Sequence, residues 1–319
     1  MEEFMIYSFA PLEGITGYIF RNAHHKVFSE IDEYYIPFAA PNMHHSFSPK
    51  ELRDVDPANN QGYRAIPQLL TNRADYFLLA CRELYDMGYR EVNLNTGCPS
   101  QTVCTKGKGA GMLRDTIALD AFFHEVFKQW NLDMKISVKS RLGIQDEAEF
   151  DEVLEVFNTY PIDSVILHPR VQKDFYKNPV RPHMFQKAVE ECKHPLVYNG
   201  DIHSPADCVA VADRYPHLRG IMLGRGLLEN PGLVTTLKTG RPVTAAEIRR
   251  FHDIYYTDYA AFGSGDKQIL SKMKELWIFM SKSFPESEKH MKQIKKCNRC
   301  DDYERIVDSL FRDCAFKPL

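Results

Sequence analysis

The chain has no apolar run approaching the ~18 residues that a membrane-spanning helix needs. It also lacks a strong charge of either sign: 40 Lys and Arg stand against 43 Asp and Glu, a net charge of −3, which argues against a generic nucleic-acid binder. No G-x-G-x-x-G follows the first apolar run, so a doubly wound dinucleotide fold is missing its usual signature. Eight cysteines are present, but without regular spacing. A disulfide framework is therefore not expected, and the thiols read as reduced ones in a cytoplasmic protein. Cys297-Asn298-Arg299-Cys300 has no second pair to complete a four-ligand zinc site, so no metal is expected and these read as packing or surface thiols. The acidic start, Met1-Glu2-Glu3, is unlike a signal peptide. Internal repeats and low-complexity linkers are absent as well.

What remains is a globular composition, 44% hydrophobic and 26% charged over 319 residues. Short apolar runs alternate with helical patterns. Strand-like runs fall at Met5–Ala10, Glu33–Ala40, Ala65–Leu70, Glu91–Asn95, Met134–Lys139, Asp163–His168, Pro195–Asn199 and Gly220–Leu223. Most carry the Val, Ile, Leu or Tyr of buried parallel strands. Between them, 72–87, 115–130, 147–157, 183–192 and 204–214 repeat apolar residues every three or four positions, with Ser204-Pro205 as an N-cap and first-turn proline. Eight strands, each feeding a helix or a long loop, predict a (β/α)8 barrel over residues 1–240.

Beyond residue 240 the strand-like runs stop. Thr244-Ala-Ala-Glu247 is a capping-box sequence, and Ile248, Phe251, Tyr255 and Tyr259 mark one helix face. Ile269, Met273, Leu276, Trp277 and Met280 mark a second, and Ile306, Val307, Leu310, Phe311 and Cys314 a third. Residues 241–319 are expected to form a separate helical bundle. They hold 15 Lys and Arg against 12 Asp and Glu, leaving 25 against 31 in the body, so the tail is basic and the body acidic. Lys289, Lys292, Lys295, Lys296 and Arg299 form a run without an acid. Such a run can hold phosphates or can simply be a solvated helix face.

In a barrel, chemistry gathers where strands end. The first strand ends at Pro11-Leu12-Glu13, where an apolar edge can lie against a flat ring or merely turn the chain. Gln68 ends the third and can pair with a heterocycle or cap its strand. The fourth ends at Asn95 and runs into Gly97-Cys98-Pro99-Ser100, then a stretch rich in Gly and Lys that includes Lys106 and Lys108. A thiol there suits a nucleophile, a proton donor or a redox group, whereas Cys81, Cys192 and Cys208 sit on helical patterns and read as core. Cys104, in the same loop, fits either description. Lys139 ends the fifth strand, followed by Arg141; a lysine so placed needs an anionic partner or a depressed pKa. His168 and Arg170 end the sixth. Asn199-Gly200-Asp201 and Gly224-Arg225-Gly226 end the last two, and glycines, an arginine and a nearby helix start make up a barrel's usual phosphate site.

These pieces resemble the tRNA-dihydrouridine synthases, FMN enzymes that reduce uridine in tRNA. The matching motifs are A-P-L-E-G-I-T at 10–16, Q-L at 68–69, N-L-N-T-G-C-P-S at 93–100 and G-x-G-A-G-M-L-R-D at 107–115. They continue with S-V-K-S-R-L-G at 137–143, H-P-R at 168–170, N-G-D-I at 199–202 and M-L-G-R-G at 222–226. They span nearly all the barrel, in order; the tail resembles the family's RNA-binding tail in general character.

The resemblance implies that Pro11, Leu12, Glu13 and Gln68 line FMN, with Lys139 beside the edge of the flavin ring and His168 nearby. It assigns Asn199, Gly200, Asp201, Gly224 and Arg225 to the ribityl chain and phosphate. Cys98 becomes the general acid, and Asn95 helps hold the flavin or the flipped uracil. Arg141, Arg170, Lys106, Lys108 and the 289–299 run are expected to face RNA. NADPH is the implied electron donor and a D-loop uridine the implied target, in a monomer that binds tRNA rather than DNA or membrane. Leu12 stands where many members have Met, Pro169 and Val171 replace the usual residues around H-x-R, and the second strand's end, residues 38–43, departs from known versions. These changes touch the rim and bear on the choice of uridine. The rival readings are a small-molecule FMN barrel of the dihydroorotate-dehydrogenase kind, which leaves the basic tail unexplained, and an RNA-binding relic without turnover, which intact Cys98 and Lys139 oppose.

Overall fold

A computed structural model describes residues 5–262 and 265–318. The Met1-Glu2-Glu3 start lies outside them. Eight strands, β1 (Ile6–Phe9), β2 (Glu33–Ala39), β3 (Ala65–Leu69), β4 (Glu91–Thr96), β5 (Lys135–Gly143), β6 (Ser164–Val171), β7 (Leu196–Asn199) and β8 (Gly220–Leu223), pair in parallel and in order. β8 returns to β1 through Ile6↔Gly220 to Phe9↔Leu223, which closes the barrel. The outer helices are α1 (Tyr18–His25), α2 (Pro49–Val55), α3 (Ala74–Asp86), α4 (Gln101–Cys104), α5 (Thr116–Gln129), α6 (Phe150–Thr159), α7 (Pro182–Glu191) and α8 (Pro205–Arg214). Two short helices follow β8, α9 (Arg225–Glu229) and α10 (Leu233–Thr239), and the tail holds α11 (Ala245–Ala261), α12 (Asp266–Met280), α13 (Glu288–Lys296) and α14 (Cys300–Asp313). Among the described residues no helix is long and apolar enough to cross a membrane.

The barrel interior is layered. At the amino ends of the strands, Glu33 and Glu91 are buried and meet Arg64, at 3.0 Å for Glu33 Oε1 and 2.5 Å for Glu91 Oε2. Arg219 joins this layer through Asp163, at 2.6 Å. Above lie Tyr35, Ile66, Ile166, Val197 and Met222, one apolar cluster. On the β3–β5 side the fill is polar: Asn95 donates to Gln68 Oε1 at 2.8 Å, Gln68 to Asn93 Oδ1 at 2.7 Å, and Asn93 to Ser137 Oγ at 3.0 Å. A buried amide ladder is tolerated because each rung gives and receives a hydrogen bond. Strand residues alternate faces, so the positions two beyond Asn93, Ser137, Ile166 and Val197 come out together at the top. They are Asn95, Lys139, His168 and Asn199.

Two strands run further than their apolar stretches suggest. β5 continues to Gly143 and β6 to Val171, with Arg141 opposite His168 in register. Polar and charged residues hide this extension in the sequence. The caps behave as read: Ser204 accepts from Asp207 N ahead of α8, and Thr244 from Glu247 N ahead of α11. The helix expected from residue 147 instead opens with a 3-10 turn, Glu147–Glu149.

The tail docks on the barrel through α11, whose Phe251 and Tyr255 pack edge-on against Phe20 of α1 at 5.4 and 5.5 Å. Inside the tail, Trp277 Nε1 donates to the Tyr303 hydroxyl at 2.8 Å, and that hydroxyl meets His252 Nε2. Burial holds the His252 imidazole neutral, and its other nitrogen faces Asp253 at 2.8 Å, so the tyrosine donates and the ring accepts. Tyr303→Phe strips Trp277 of its acceptor and His252 of its donor, both buried. A loss of about 1–3 kcal/mol is expected. Urea melts of the two proteins check it; equal midpoints at equal slope would reduce the network to ring packing.

Candidate active site at the barrel mouth

The carboxyl ends of the strands surround a cavity open on one side. Pro11 and Leu12 form one wall; Lys139, His168, Asn199 and Gly200 form the floor and far side; Asp201, Gly224 and Arg225 close the rim. Nine of the residues expected at a cofactor thus come together. Gln68 and Glu13 do not line this cavity. Gln68 is buried below it in the amide ladder, and exposed Glu13 lines a neighbouring groove.

Lys139 is half-buried, and its ammonium donates to Asn199 Oδ1 at 2.7 Å, a neutral acceptor. Burial, then repulsion from Arg141, pulls its pKa down to about 7. Asn199 is itself held, donating to Met222 O at 2.8 Å. His168 is pushed well below its ordinary range by burial and by four surrounding cations, Arg141, Lys139, Arg170 and Arg225. Arg170 Nη1 lies 2.9 Å from His168 Nε2, so this nitrogen accepts and the hydrogen-bond network assigns the proton to Nδ1.

Asp201 is a carboxylate set among these cations. Both its oxygens take Arg170, and Oδ1 also takes Arg225 at 3.1 Å. It sits at φ +48, after Gly200 at φ +143, in a left-handed stretch that Asp tolerates better than most side chains. A Cβ on Gly200 would meet Val180 at 2.7 Å. Tyr176, which the sequence reading passed over, also lines the cavity, with Arg225 4.7 Å and Arg141 5.4 Å from its ring centre.

Cys98 stands on the loop after β4, half-buried. Burial pushes its thiol above the usual range. Its backbone is fixed on three sides. Asn95 Oδ1 accepts from Gly97 N and Cys98 N at 3.0 and 2.8 Å. Cys98 O accepts from Ala110 N at 3.0 Å and from the Cys104 thiol at 3.3 Å, which makes Cys104 a buried packing residue. Gly109, at φ +56, packs so closely that a Cβ would fall 2.9 Å from Cys98 Cβ.

Arg141 and Arg170, expected at RNA, are 1% and 2% exposed. Arg141 donates to Gly97 O, Val171 O and Phe175 O at 3.1, 3.0 and 2.8 Å, tying the Cys98 loop to the loop after β6. Arg170 spends its donors on Asn178 O, His168 and Asp201. Both buttress the mouth from within. Lys106 is exposed and Lys108 half-buried, on the loop beyond Cys98. Lys289, Lys292, Lys295 and Lys296 are exposed on α13 without ion pairs among the described residues, while Arg299 pairs with Asp301 at 3.1 Å. Cys297 donates to Ile294 O at 3.1 Å and Cys300 opens α14.

This fold, with its chemistry at the strand ends, is that of a (β/α)8-barrel enzyme. Within that class the chain belongs to the dihydrouridine synthase (Dus) family, whose sequence profile matches residues 8–314. It is 25% identical over 310 residues to a probable tRNA-dihydrouridine synthase 1 of Synechocystis sp., covering 94% of this chain and 84% of that protein. It is 22% identical over 320 residues to a tRNA-dihydrouridine(16) synthase of Aquipseudomonas alcaligenes, covering 93% and 97%. Among solved structures, a variant of NCR from Zymomonas mobilis superposes with a TM-score of 0.54 at 15% identity, over 77% of this chain and 90% of that one. Histamine dehydrogenase from Rhizobium sp. 4-9 does so with a TM-score of 0.57 at 13% identity, over 85% and 48%. At such identities the likeness to the two structures is one of fold.

The Lys139 amine has a direct thermodynamic signature. Its folded pKa of about 7 lies below the ~10.4 of a free lysine, so between these values the unfolded chain binds the extra proton. The resulting penalty on the ligand-free fold is complete below pH 7 and fades as pH rises toward 10. Lys139→Met should therefore raise the melting temperature of ligand-free protein most at pH 6, with the gain shrinking by pH 10. A gain independent of pH would show that the amine is not depressed.

Proposed function

We propose that the enzyme reduces a D-loop uridine of tRNA to 5,6-dihydrouridine, with FMN held in the barrel mouth and NADPH as electron donor. The observation that carries this reading is a half-buried lysine facing the cavity with only a neutral partner, at the same end of the barrel as a thiol whose loop is fixed on three sides. Such a lysine suits an anionic, ring-shaped occupant. Arg225 and the backbone of Gly224 and Gly226 on the rim suit a phosphate. The residues present thus fit FMN: Pro11 and Leu12 against the ring, Lys139 and His168 at its polar edge, Asn199, Gly200, Asp201, Gly224 and Arg225 toward the ribityl phosphate. When bound, the flavin supplies the hydride for uracil C6.

The protein's own part is proton delivery and exclusion of water. Cys98 donates to uracil C5; its raised pKa keeps the thiol protonated at neutral pH, as an acid must be. Asn95, Gly109 and Arg141 hold it in place. A stacked base cannot enter the mouth, so the uridine has to be drawn out of the tRNA elbow. Lys106, Lys108, Arg114 and the α13 lysines supply phosphate contacts on the way. Position 16, for which the Aquipseudomonas relative is named, is the first to map for dihydrouridine in tRNA from a deletion strain.

Cys98→Ala should leave NADPH oxidation by the holoenzyme intact and slow uridine reduction by ~10²–10⁴, the usual worth of a general acid. In the wild type, reduction should fall off only above the ordinary thiol range, since burial raises this group. Single-turnover stopped-flow traces across pH test both points, and a Cys98→Ala variant that reduces bound uridine at the normal rate would take the proton from elsewhere.

Alanine at Lys289, Lys292, Lys295 and Lys296 should do the reverse. Reduction at saturating tRNA survives, affinity drops, and the log–log salt slope flattens by ~0.7–0.9 for each phosphate contact removed. Titrations at two or more salt concentrations measure this. An unchanged slope makes α13 a solvated face.

A further inference from the structure

A second cavity opens at the same end of the barrel. It is open to solvent and lies between the β1–α1 loop, the end of β2, α2 and the tail helices α11 and α12. The β1–α1 loop joins it to the mouth: Pro11 and Leu12 line the mouth, Glu13, Gly14 and Ile15 the second cavity. Six aromatic residues line it: Phe20 and Tyr255 belong to the core, and the other four are Tyr18, Phe38, Tyr259 and Phe262. Of these four, the first three are half-buried and Phe262 is 47% exposed, with the Arg53 guanidinium 5.4 Å from its ring centre.

Two of the lining acids are spent on backbone. Glu51 accepts from Ala40 N and Ser48 N at 3.0 and 2.7 Å, and Asp54 from Tyr18 N at 2.7 Å. Lys272 is used as well, on Gly14 O and Glu275. Lys50 and Arg53 line the cavity without an ion pair among the described residues; Glu13 is the lining acid left without a hydrogen bond there. Ring faces with unpaired cations beside them match a flat base on a phosphodiester chain, because every base offers a π-face and every linkage an anion.

We propose that this cavity holds a second, unstacked nucleobase of the tRNA, a neighbour of the uridine presented to the mouth. The proposal rests on tRNA being the substrate. Drawing one base out of the elbow breaks the stack beside it. A ring-lined cavity sharing a loop with the mouth replaces that lost stacking and orients the strand.

The experiment measures tRNA affinity at fixed salt, using intact tRNA and tRNA carrying one abasic nucleotide next to the target. Phe262→Ala and Tyr259→Ala should each weaken binding of intact tRNA by about 5- to 150-fold, the usual range for losing one stacked base. An abasic neighbour should weaken wild-type binding similarly, and variant plus abasic tRNA should lose little more, as coupled changes do. Tyr259→Phe, which keeps the ring, should bind nearly as wild type. NADPH oxidation without tRNA should be unchanged throughout. Normal affinity in both alanine variants, or losses that simply add to the abasic loss, would overturn the proposal. So would a raised KM for NADPH at unchanged tRNA affinity, which gives the cavity to the dinucleotide. Wild-type enzyme that neither binds nor reduces tRNA would overturn the substrate assignment itself, a defect visible before any substitution is made.

Discussion

A cation midway along a parallel strand, facing a cavity and hydrogen-bonded to an amide, is the constraint around which the mouth is arranged. Lys139 has Asn199 for a partner, and Arg141, Arg170 and Arg225 crowd the same region. Asp201 is shared between two of the arginines. The mouth is left short of negative charge. Uncompensated charge in a half-buried site costs stability, and that cost is tolerable when an anionic ligand offsets it. Ligand binding and fold stability are therefore linked: what fills this mouth also relieves it.

The thiol loop shows the complementary solution. Where Lys139 is left electrostatically open, Cys98 is mechanically closed in, by an amide below, a glycine at van der Waals contact and an arginine behind. None of these supports titrates near neutrality, so the loop's geometry does not change with protonation of the thiol it carries. Strain collects nearby instead. Phe175, whose carbonyl Arg141 holds, adopts φ +49 and ψ −101, and Asp201 adopts φ +48. Non-glycine residues keep such conformations only where surrounding contacts over-determine them. Here those contacts are Arg141 for one and the Arg170–Asp201 pair for the other.

The barrel and the identity of its mouth were legible in the sequence because both follow from period two. A strand whose alternation leads up to Lys139 or Asn199 brings that residue out at the mouth, and parallel order gathers these positions together. Other roles were not legible. Arg141 and Arg170 look like surface cations at strand ends; their acceptors are carbonyls and a carboxylate 8 to 44 residues away, which no local pattern encodes. Gln68 was one step too deep, because a ladder of amides beneath the mouth looks in sequence like separate polar residues on apolar strands. Tyr176 was invisible for a different reason. It comes from an irregular loop, and only the fold brings it near Arg225 and Arg141.

The tail and the mouth share one short element. β8 ends in Gly224-Arg225, and α9 begins there and ends four residues later at Glu229. Glu229 is 2% exposed, and its side chain takes His203 Nδ1 at 2.7 Å from the loop after β7 and Lys282 Nζ at 2.6 Å from the tail. Its carbonyl takes the Ser283 hydroxyl at 2.7 Å. One carboxylate thus joins the last two strand-end loops to the turn that follows α12. A tail set by surface contacts alone could drift relative to the mouth; one clasped at the residue that ends the Arg225 helix cannot move far without moving the rim. The distance from the basic helix to the cavity is in this way a property of the fold, as it must be if one face grips a polymer while another receives a single base from it.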